Sequence, residues 1–167
     1  MITIAIAEDH QALIDGIYSF LEYEDDIKLV GAANDGEELL GIVEKKRPTL
    51  VLCDIRMPKM DGITVTKIIK ETYPKTKIIA FTMFEQQDAI DQMITAGADG
   101  YVLKNSSLRT VLEAIRFVSK GKSYFDKKLH YVPSKKNSKN SSKSVLSKRE
   151  KEILLLISKG KTSYEIA

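Results

Sequence analysis

The chain has 167 residues, a length that accommodates one ordinary domain and a smaller second unit. Hydrophobic residues make up 43% and charged residues 29%, which is typical of soluble globular proteins. No apolar run reaches membrane-spanning length, the first residues lack the basic start of a signal peptide, and Cys53 is the only cysteine. These features argue against a membrane protein, a disulfide-bonded secreted protein and a cysteine metal cluster. We expect a cytoplasmic protein without a membrane partner.

The charge is unevenly distributed along the chain. Residues 1–125 contain 15 basic and 19 acidic residues, a net charge of −4, whereas residues 126–167 contain 11 and 4, a net charge of +7. An acidic body with a basic tail indicates two units that have different partners. A basic tail is common in proteins that bind nucleic acid, although a solvated linker gives the same count.

Short apolar runs alternate with segments of helical periodicity over about the first 120 residues, which predicts five strands and five helices. The predicted strands are residues 2–7, 27–33, 49–54, 77–82 and 100–104. The predicted helices are residues 12–23, 37–46, 63–73, 87–96 and 108–120. This alternation indicates an α/β domain with a mostly parallel sheet covered by helices on both faces. The second strand contains a lysine and small residues, so we place it at an edge.

The chain changes character after the last of these helices. We predict a domain over residues 1–123 and a flexible linker rich in Ser, Lys and Asn over residues 124–144. Helical periodicity resumes in residues 145–167, where Ser147 and Glu150 are spaced as in a helix capping box.

Polar side chains stand at the end of four of the five predicted strands or directly after it. The carboxyl ends of parallel strands meet at one edge of a sheet, where ligands bind. This edge would receive Glu8 and Asp9 from the first strand, Asp54 from the third, Thr82 from the fourth and Lys104 from the fifth. Taken alone, Asp54 is an ordinary turn residue; together with the others it indicates a site.

Three crowded carboxylates repel one another, and a hard divalent cation relieves this repulsion. Oxygen ligands suit Mg²⁺. Asp54 could then stay ionised and act as a nucleophile toward phosphorus. Lys104 would neutralise phosphoryl oxygens and the Thr82 hydroxyl would donate a hydrogen bond to one of them.

These residues and their surroundings resemble the receiver domain of two-component response regulators. The matching motifs are Glu8-Asp9-His10, Asp54 with Met57-Pro58 and Asp61-Gly62, Thr82, and Tyr101-Val102-Leu103-Lys104. The resemblance implies a flavodoxin-like doubly wound, five-stranded parallel sheet of order 2-1-3-4-5. Many receivers have proline after the lysine, where this chain has Asn105, so the isomer of the Lys104–Asn105 bond stays open.

The resemblance also implies roles for these residues. Asp54 would accept a phosphoryl group from a sensor histidine kinase, assisted by Thr82 and Lys104. Mg²⁺ would be held by Asp9, Asp54 and the backbone carbonyl of Arg56, with Glu8 assisting through water. Thr82 and Tyr101 would form a switch pair: movement of Thr82 toward the phosphoryl group would vacate space for Tyr101. Apart from the resemblance, we expect Asp61 to shape the loop before Gly62 and not to bind metal, and His10 to support its loop or to start the first helix.

Residues 146–167 resemble the start of a LuxR-type helix-turn-helix, so the whole chain has the arrangement of NarL/FixJ-type transcription regulators. The implied partners are a kinase, DNA in the complete protein, and a second copy after phosphorylation. The matching residues do not include a recognition helix, and we do not expect these 167 residues alone to read DNA sequence.

Two other functions compete with this interpretation. A stand-alone receiver would signal by protein contact alone. A Mg²⁺-dependent phosphatase of the haloacid-dehalogenase type would need a second aspartate two residues after the nucleophile, where this chain has Arg56. The predicted protein is therefore a regulator and not a metabolic enzyme.

Overall fold

The computed structural model describes residues 1–129, in which five helices alternate with six strands. The elements are β1 Ile2–Ala7, α1 Gln11–Leu21, β2 Ile27–Ala33, α2 Gly36–Lys46, β3 Leu50–Cys53, α3 Gly62–Thr72, β4 Lys77–Thr82, α4 Gln87–Thr95, β5 Gly100–Leu103, α5 Leu108–Ser119 and β6 Tyr124–Phe125. The predicted segments around Ser147 and Glu150 lie outside the described residues.

The strands form one parallel sheet of order β2-β1-β3-β4-β5-β6. The predicted α/β class, doubly wound order and edge position of β2 are confirmed. The predicted number of five strands is wrong, because Tyr124 and Phe125 pair with the start of β5 as a sixth strand. Two residues are too few to show strand periodicity. This strand falls inside segment 124–144, for which the sequence predicts a linker.

The sheet is buried on both faces. One apolar cluster lies between the sheet and helices α1 and α5, and a second involves α2 and α3. A third surrounds the inner face of α4. All residues of β3 and β5 are buried, as expected of strands covered by helices on both sides. This packing fixes the strand ends that carry the candidate site.

The helix ends follow local sequence signals. The side chains of Asp35, Asp61 and Ser107 accept hydrogen bonds from the third residue beyond them and so cap α2, α3 and α5. The predicted loop-shaping role of Asp61 is therefore confirmed. Gly97 and Gly121 have positive φ angles of 106° and 80° after α4 and α5, a backbone conformation that glycine adopts readily at the ends of helices.

None of the helices within residues 1–129 has the length and apolar character needed to cross a membrane.

Candidate functional site

The ends of β1, β3 and β5 bring three charged side chains into contact. The Lys104 Nζ atom lies 2.7 Å from Asp54 Oδ2 and 2.5 Å from Glu8 Oε2. The two carboxylates are almost completely buried, and the lysine side chain is 11% exposed. Backbone hydrogen bonds beyond the strand ends, such as Asp54 N–H to the Ala7 carbonyl oxygen at 2.9 Å, hold this geometry. The structure thus brings together three of the predicted site residues.

The ion pairs keep Lys104 protonated. Burial alone would lower the pKa of Lys104, but hydrogen bonds to Asp54 and Glu8 outweigh this effect and raise the pKa above its ordinary value. A charged ammonium is thereby available beside the Asp54 carboxylate at neutral pH.

The Asp54 backbone is packed against Gly62, the first residue of α3. The Asp54 side chain accepts a 2.6 Å hydrogen bond from the Ile55 amide, and the Gly62 amide donates one of 2.8 Å to the Ile55 carbonyl oxygen. A Cβ atom at position 62 would lie 1.9 Å from the Asp54 carbonyl oxygen. The sequence placed Asp61-Gly62 in a supporting role, but it gave no sign of this close backbone approach.

Asp9 and His10 lie on the solvent side of Glu8. His10 is the N-cap residue directly before α1. Its Nδ1 atom is 2.9 Å from Glu8 Oε1 and 2.8 Å from Asp9 Oδ1, and these three residues offer ligand atoms within 4.8 Å of one another. The hydrogen bond to Glu8, with the nearby charge of Asp9, raises the pKa of His10.

The donor chemistry of this edge fits Mg²⁺. Glu8, Asp9 and Asp54 supply carboxylate oxygens, and one ammonium cannot neutralise three carboxylates. The excess negative charge and the oxygen donors are what a hard divalent cation requires. The backbone carbonyl of Arg56 follows Asp54 by two residues. That this carbonyl oxygen binds Mg²⁺ stays a prediction. The same is true of the three carboxylates.

Thr82 and Tyr101 lie on adjacent strands and on one face of the sheet, since Ala80 pairs with Tyr101 and Thr82 with Leu103. Thr82 is fully buried, and its hydroxyl has no hydrogen-bond partner within residues 1–129. Tyr101 is also fully buried, and its hydroxyl donates a 2.8 Å hydrogen bond to the Phe84 carbonyl oxygen. Tyr101 is thus held in a buried position, and its pairing with Thr82 as a switch stays a prediction.

The sequence did not indicate a role for two further residues of this region, Phe84 and Asp126. The Arg56 guanidinium lies 4.8 Å from the centre of the Phe84 ring, so Phe84 connects the loop after Asp54 with the loop after Thr82. The Asp126 side chain accepts hydrogen bonds from the Leu103 amide and the Ser106 hydroxyl, which flank Lys104 in the chain. Neither residue belongs to a recognisable motif, and long-range contacts of this kind leave no periodic signal. The Lys104–Asn105 bond is trans, like every other peptide bond in the described chain.

Comparisons with known proteins agree with this geometry. Residues 4–116 match the family described as the response regulator receiver domain. The chain is 38% identical over 175 residues to the oxygen regulatory protein NreC of Staphylococcus epidermidis. This alignment covers 98% of the chain and 80% of NreC. It is 34% identical over 167 residues to the response regulator protein VraR of Staphylococcus aureus, covering 99% of the chain and 80% of the relative.

Solved structures show the same fold. The isolated receiver domain of RcsB from Salmonella enterica serovar Typhimurium, solved with the phosphomimetic BeF₃⁻, superposes with a TM-score of 0.70 at 28% identity. This alignment covers 75% of the chain and 94% of the RcsB domain. A DNA-binding response regulator of the LuxR family from Staphylococcus aureus gives a TM-score of 0.68 at 26% identity, covering 71% and 99%.

Proposed function

The chain belongs to the response regulator receiver family and is a two-component regulator of the NarL/LuxR type, and from this we propose that Asp54 is its phosphoacceptor. In this proposal a sensor histidine kinase donates the phosphoryl group in the cytoplasm. The observation that carries the proposal is the contact of Lys104 with both Asp54 and Glu8. A buried nucleophilic carboxylate beside a fixed ammonium is the arrangement that phosphoryl transfer requires.

The transfer step follows from this arrangement. A carboxylate oxygen of Asp54 forms a bond to phosphorus while the bond from phosphorus to the donor atom breaks, and the electron pair leaves with the donor. Lys104 neutralises part of the charge on the phosphoryl oxygens without giving up its proton, since its pKa is raised. The Thr82 hydroxyl, which has no partner within the described residues, donates a hydrogen bond to one of these oxygens.

Mg²⁺ is the proposed cofactor of this step. Glu8, Asp9, Asp54 and the carbonyl oxygen of Arg56 would hold it, and when bound it would supply positive charge next to the phosphoryl oxygens. His10 adds a nitrogen to the acidic group in the described structure. We nevertheless assign the Mg²⁺ site to the oxygen donors, because Mg²⁺ prefers oxygen ligands.

The proposed switch changes the loop between β4 and α4. A hydrogen bond from Thr82 to the phosphoryl group would pull the end of β4 toward Asp54. The Phe84 carbonyl oxygen, to which Tyr101 donates, lies two residues further along the same loop. Phosphorylation would therefore bias a segment that contacts β5 and leads into α4.

The proposed output is transcription. The segment 145–167 that resembles a LuxR-type helix-turn-helix supports a DNA-binding module in the complete protein. A similar solved protein is itself described as a DNA-binding response regulator of the LuxR family. Dimerisation after phosphorylation would place two such modules on adjacent half-sites of DNA.

The test is phosphorylation by a small phosphodonor. The 167-residue chain is incubated with acetyl phosphate and Mg²⁺, and the modified residue is identified by mass spectrometry after reductive trapping of the acyl phosphate. We expect one phosphoryl group on Asp54, none in Asp54→Asn, and none when Mg²⁺ is removed by a chelator. Equal phosphorylation of Asp54→Asn, or a phosphoryl group that is lost in Asp61→Asn and retained in Asp54→Asn, would overturn the assignment.

A further inference from the structure

The chain that leaves α5 returns to the sheet and contacts the loop that follows Lys104. Strand β6 pairs with the start of β5, the strand that presents both Tyr101 and Lys104. Directly after β6, the Asp126 amide donates a 2.9 Å hydrogen bond to the Tyr101 carbonyl oxygen. The segment 124–129 is therefore attached to the strand that carries the phosphate-site lysine.

The Asp126 side chain is the centre of this attachment. It is 4% exposed, and its Oδ2 atom accepts hydrogen bonds from the Leu103 amide at 3.2 Å and the Ser106 hydroxyl at 2.5 Å. Its Oδ1 atom accepts from the Lys128 amide at 3.1 Å. One carboxylate thus holds the backbone before Lys104 and the side chain two residues after it.

A second contact supports the same loop. The Lys128 ammonium donates a 2.7 Å hydrogen bond to the Asn105 carbonyl oxygen. Burying a carboxylate is unfavourable unless its oxygens are hydrogen-bonded, and the three donors satisfy Asp126. Together the two contacts fix both ends of the backbone segment from which the Lys104 side chain extends.

We propose that Asp126 is a positioning residue for Lys104. It does not touch the phosphoryl group; it holds the β5–α5 loop so that the lysine reaches the Asp54 and Glu8 carboxylates. This inference rests on the proposed phosphorylation of Asp54. It also makes the segment 124–129 a working part of the phosphoacceptor site.

The need for positioning follows from the chemistry of lysine. Its ammonium is a compact charge on a flexible stem with four carbons, so the backbone must confine it. Lys104 has to stay within hydrogen-bonding distance of two carboxylates from different strands. A small displacement of a group that stabilises a transition state costs a large part of the rate.

The test uses Asp126→Asn in the 167-residue chain. Asparagine keeps the size of the side chain, but its NH₂ group cannot accept the hydrogen bonds that one carboxylate oxygen accepts. We expect the initial rate of Asp54 phosphorylation by acetyl phosphate, at saturating Mg²⁺, to fall about tenfold, as misplacement of a catalytic charge predicts. Lys127→Ala is the matched control, since Lys127 is the exposed neighbour of Asp126, and its rate is expected to equal that of the wild type.

A double-variant cycle separates positioning from general damage. If Asp126 acts through Lys104, Asp126→Asn has no further effect on the rate in a Lys104→Ala background. If it merely weakens the fold, it slows both backgrounds equally. Circular dichroism monitors folding, and should Asp126→Asn unfold, Ser106→Ala takes its place with an expected fall of about threefold that also vanishes without Lys104.

The outcomes distinguish this inference from the proposed function. A wild-type rate in Asp126→Asn, or an equal loss in both backgrounds, overturns the positioning role while Asp54 remains the phosphoacceptor. A wild-type chain that takes no phosphoryl group on Asp54 overturns the proposed function and the positioning role together.

Discussion

Gly62 lies against Asp54 so closely that a Cβ atom at position 62 would stand 1.9 Å from the Asp54 carbonyl oxygen. Because that oxygen belongs to backbone, it cannot rotate away as a flexible side chain would. We expect Gly62→Ala to lower the free energy of unfolding by about 1–3 kcal/mol, the usual cost of overpacking. We also expect slower phosphorylation of Asp54. Urea denaturation and the acetyl phosphate assay measure the two effects.

Gly16→Ala is the matched control for this substitution. Gly16 lies in the middle of α1, and nothing stands within 4 Å of a Cβ atom at that position. Alanine there should raise stability by about 0.5–1 kcal/mol, because glycine is a poor helix former. A Gly62→Ala protein as stable as the wild type would contradict the close approach.

The Lys104 ion pairs predict an altered response to Mg²⁺. In Lys104→Met the Glu8 and Asp54 carboxylates stay buried but lose the ammonium that neutralises them. In the absence of metal we therefore expect the free energy of unfolding to fall by about 3 kcal/mol. Added Mg²⁺ should then raise the thermal midpoint more in this variant than in the wild type. Differential scanning calorimetry with and without Mg²⁺ tests this.

The control for this experiment is Lys67→Met, which removes an exposed lysine from α3. We expect its Mg²⁺ response to equal that of the wild type. If Lys104→Met gained no more from Mg²⁺ than Lys67→Met, the metal would not share the carboxylates that Lys104 contacts.

The strand ends that carry Asp54 and Lys104 could be predicted because β3 and β5 are short apolar runs followed by a charged residue. Their convergence follows from the rule that parallel strands end at one edge. The contacts of Gly62 and Asp126 could not be predicted, because they depend on how closely two backbone segments approach in the fold, which the sequence pattern does not specify. The same holds for Tyr101, whose burial depends on the packing of α4 and not on its own strand.

An ion pair on the opposite side of the domain predicts a dependence on pH. Arg116 of α5 contacts Asp26 at 2.7 Å, and this hydrogen bond lowers the pKa of Asp26 below its ordinary value. A carboxyl whose pKa is lowered by folding contributes stability above its unfolded pKa of about 4, and this contribution is lost as the pH falls through the folded value. We therefore expect Arg116→Met to be less stable than the wild type at pH 7.

The difference between wild type and Arg116→Met should shrink steadily below about pH 4, where Asp26 becomes protonated. Urea denaturation from neutral to acidic pH measures it. Arg109→Met is the control, because Arg109 is an exposed arginine near the start of the same helix. Arg116 also contacts Glu24 at 2.6 Å, so a difference that stayed constant with pH would show that Arg116 stabilises the fold by packing and not through its ion pairs with Asp26 and Glu24.

Removal of the Thr82 hydroxyl should have opposite effects on stability and on the proposed switch. Its hydroxyl is buried and has no hydrogen-bond partner in the described chain, so the fold gains nothing from its polarity. Thr82→Val replaces the hydroxyl with a methyl group of similar size. We expect the unphosphorylated variant to be more stable than the wild type by about 1 kcal/mol, because an unsatisfied buried polar group is unfavourable.

Beryllofluoride, which mimics a phosphoryl group, should stabilise the wild type more than Thr82→Val. The wild-type hydroxyl then gains an acceptor and the valine does not, so the rise in thermal midpoint on adding beryllofluoride and Mg²⁺ should be smaller in Thr82→Val. Thr66→Val is a suitable control, since Thr66 is equally buried but lies on α3. Equal rises in all three proteins would remove Thr82 from the proposed switch and leave Lys104 as the predicted contact of the phosphoryl group.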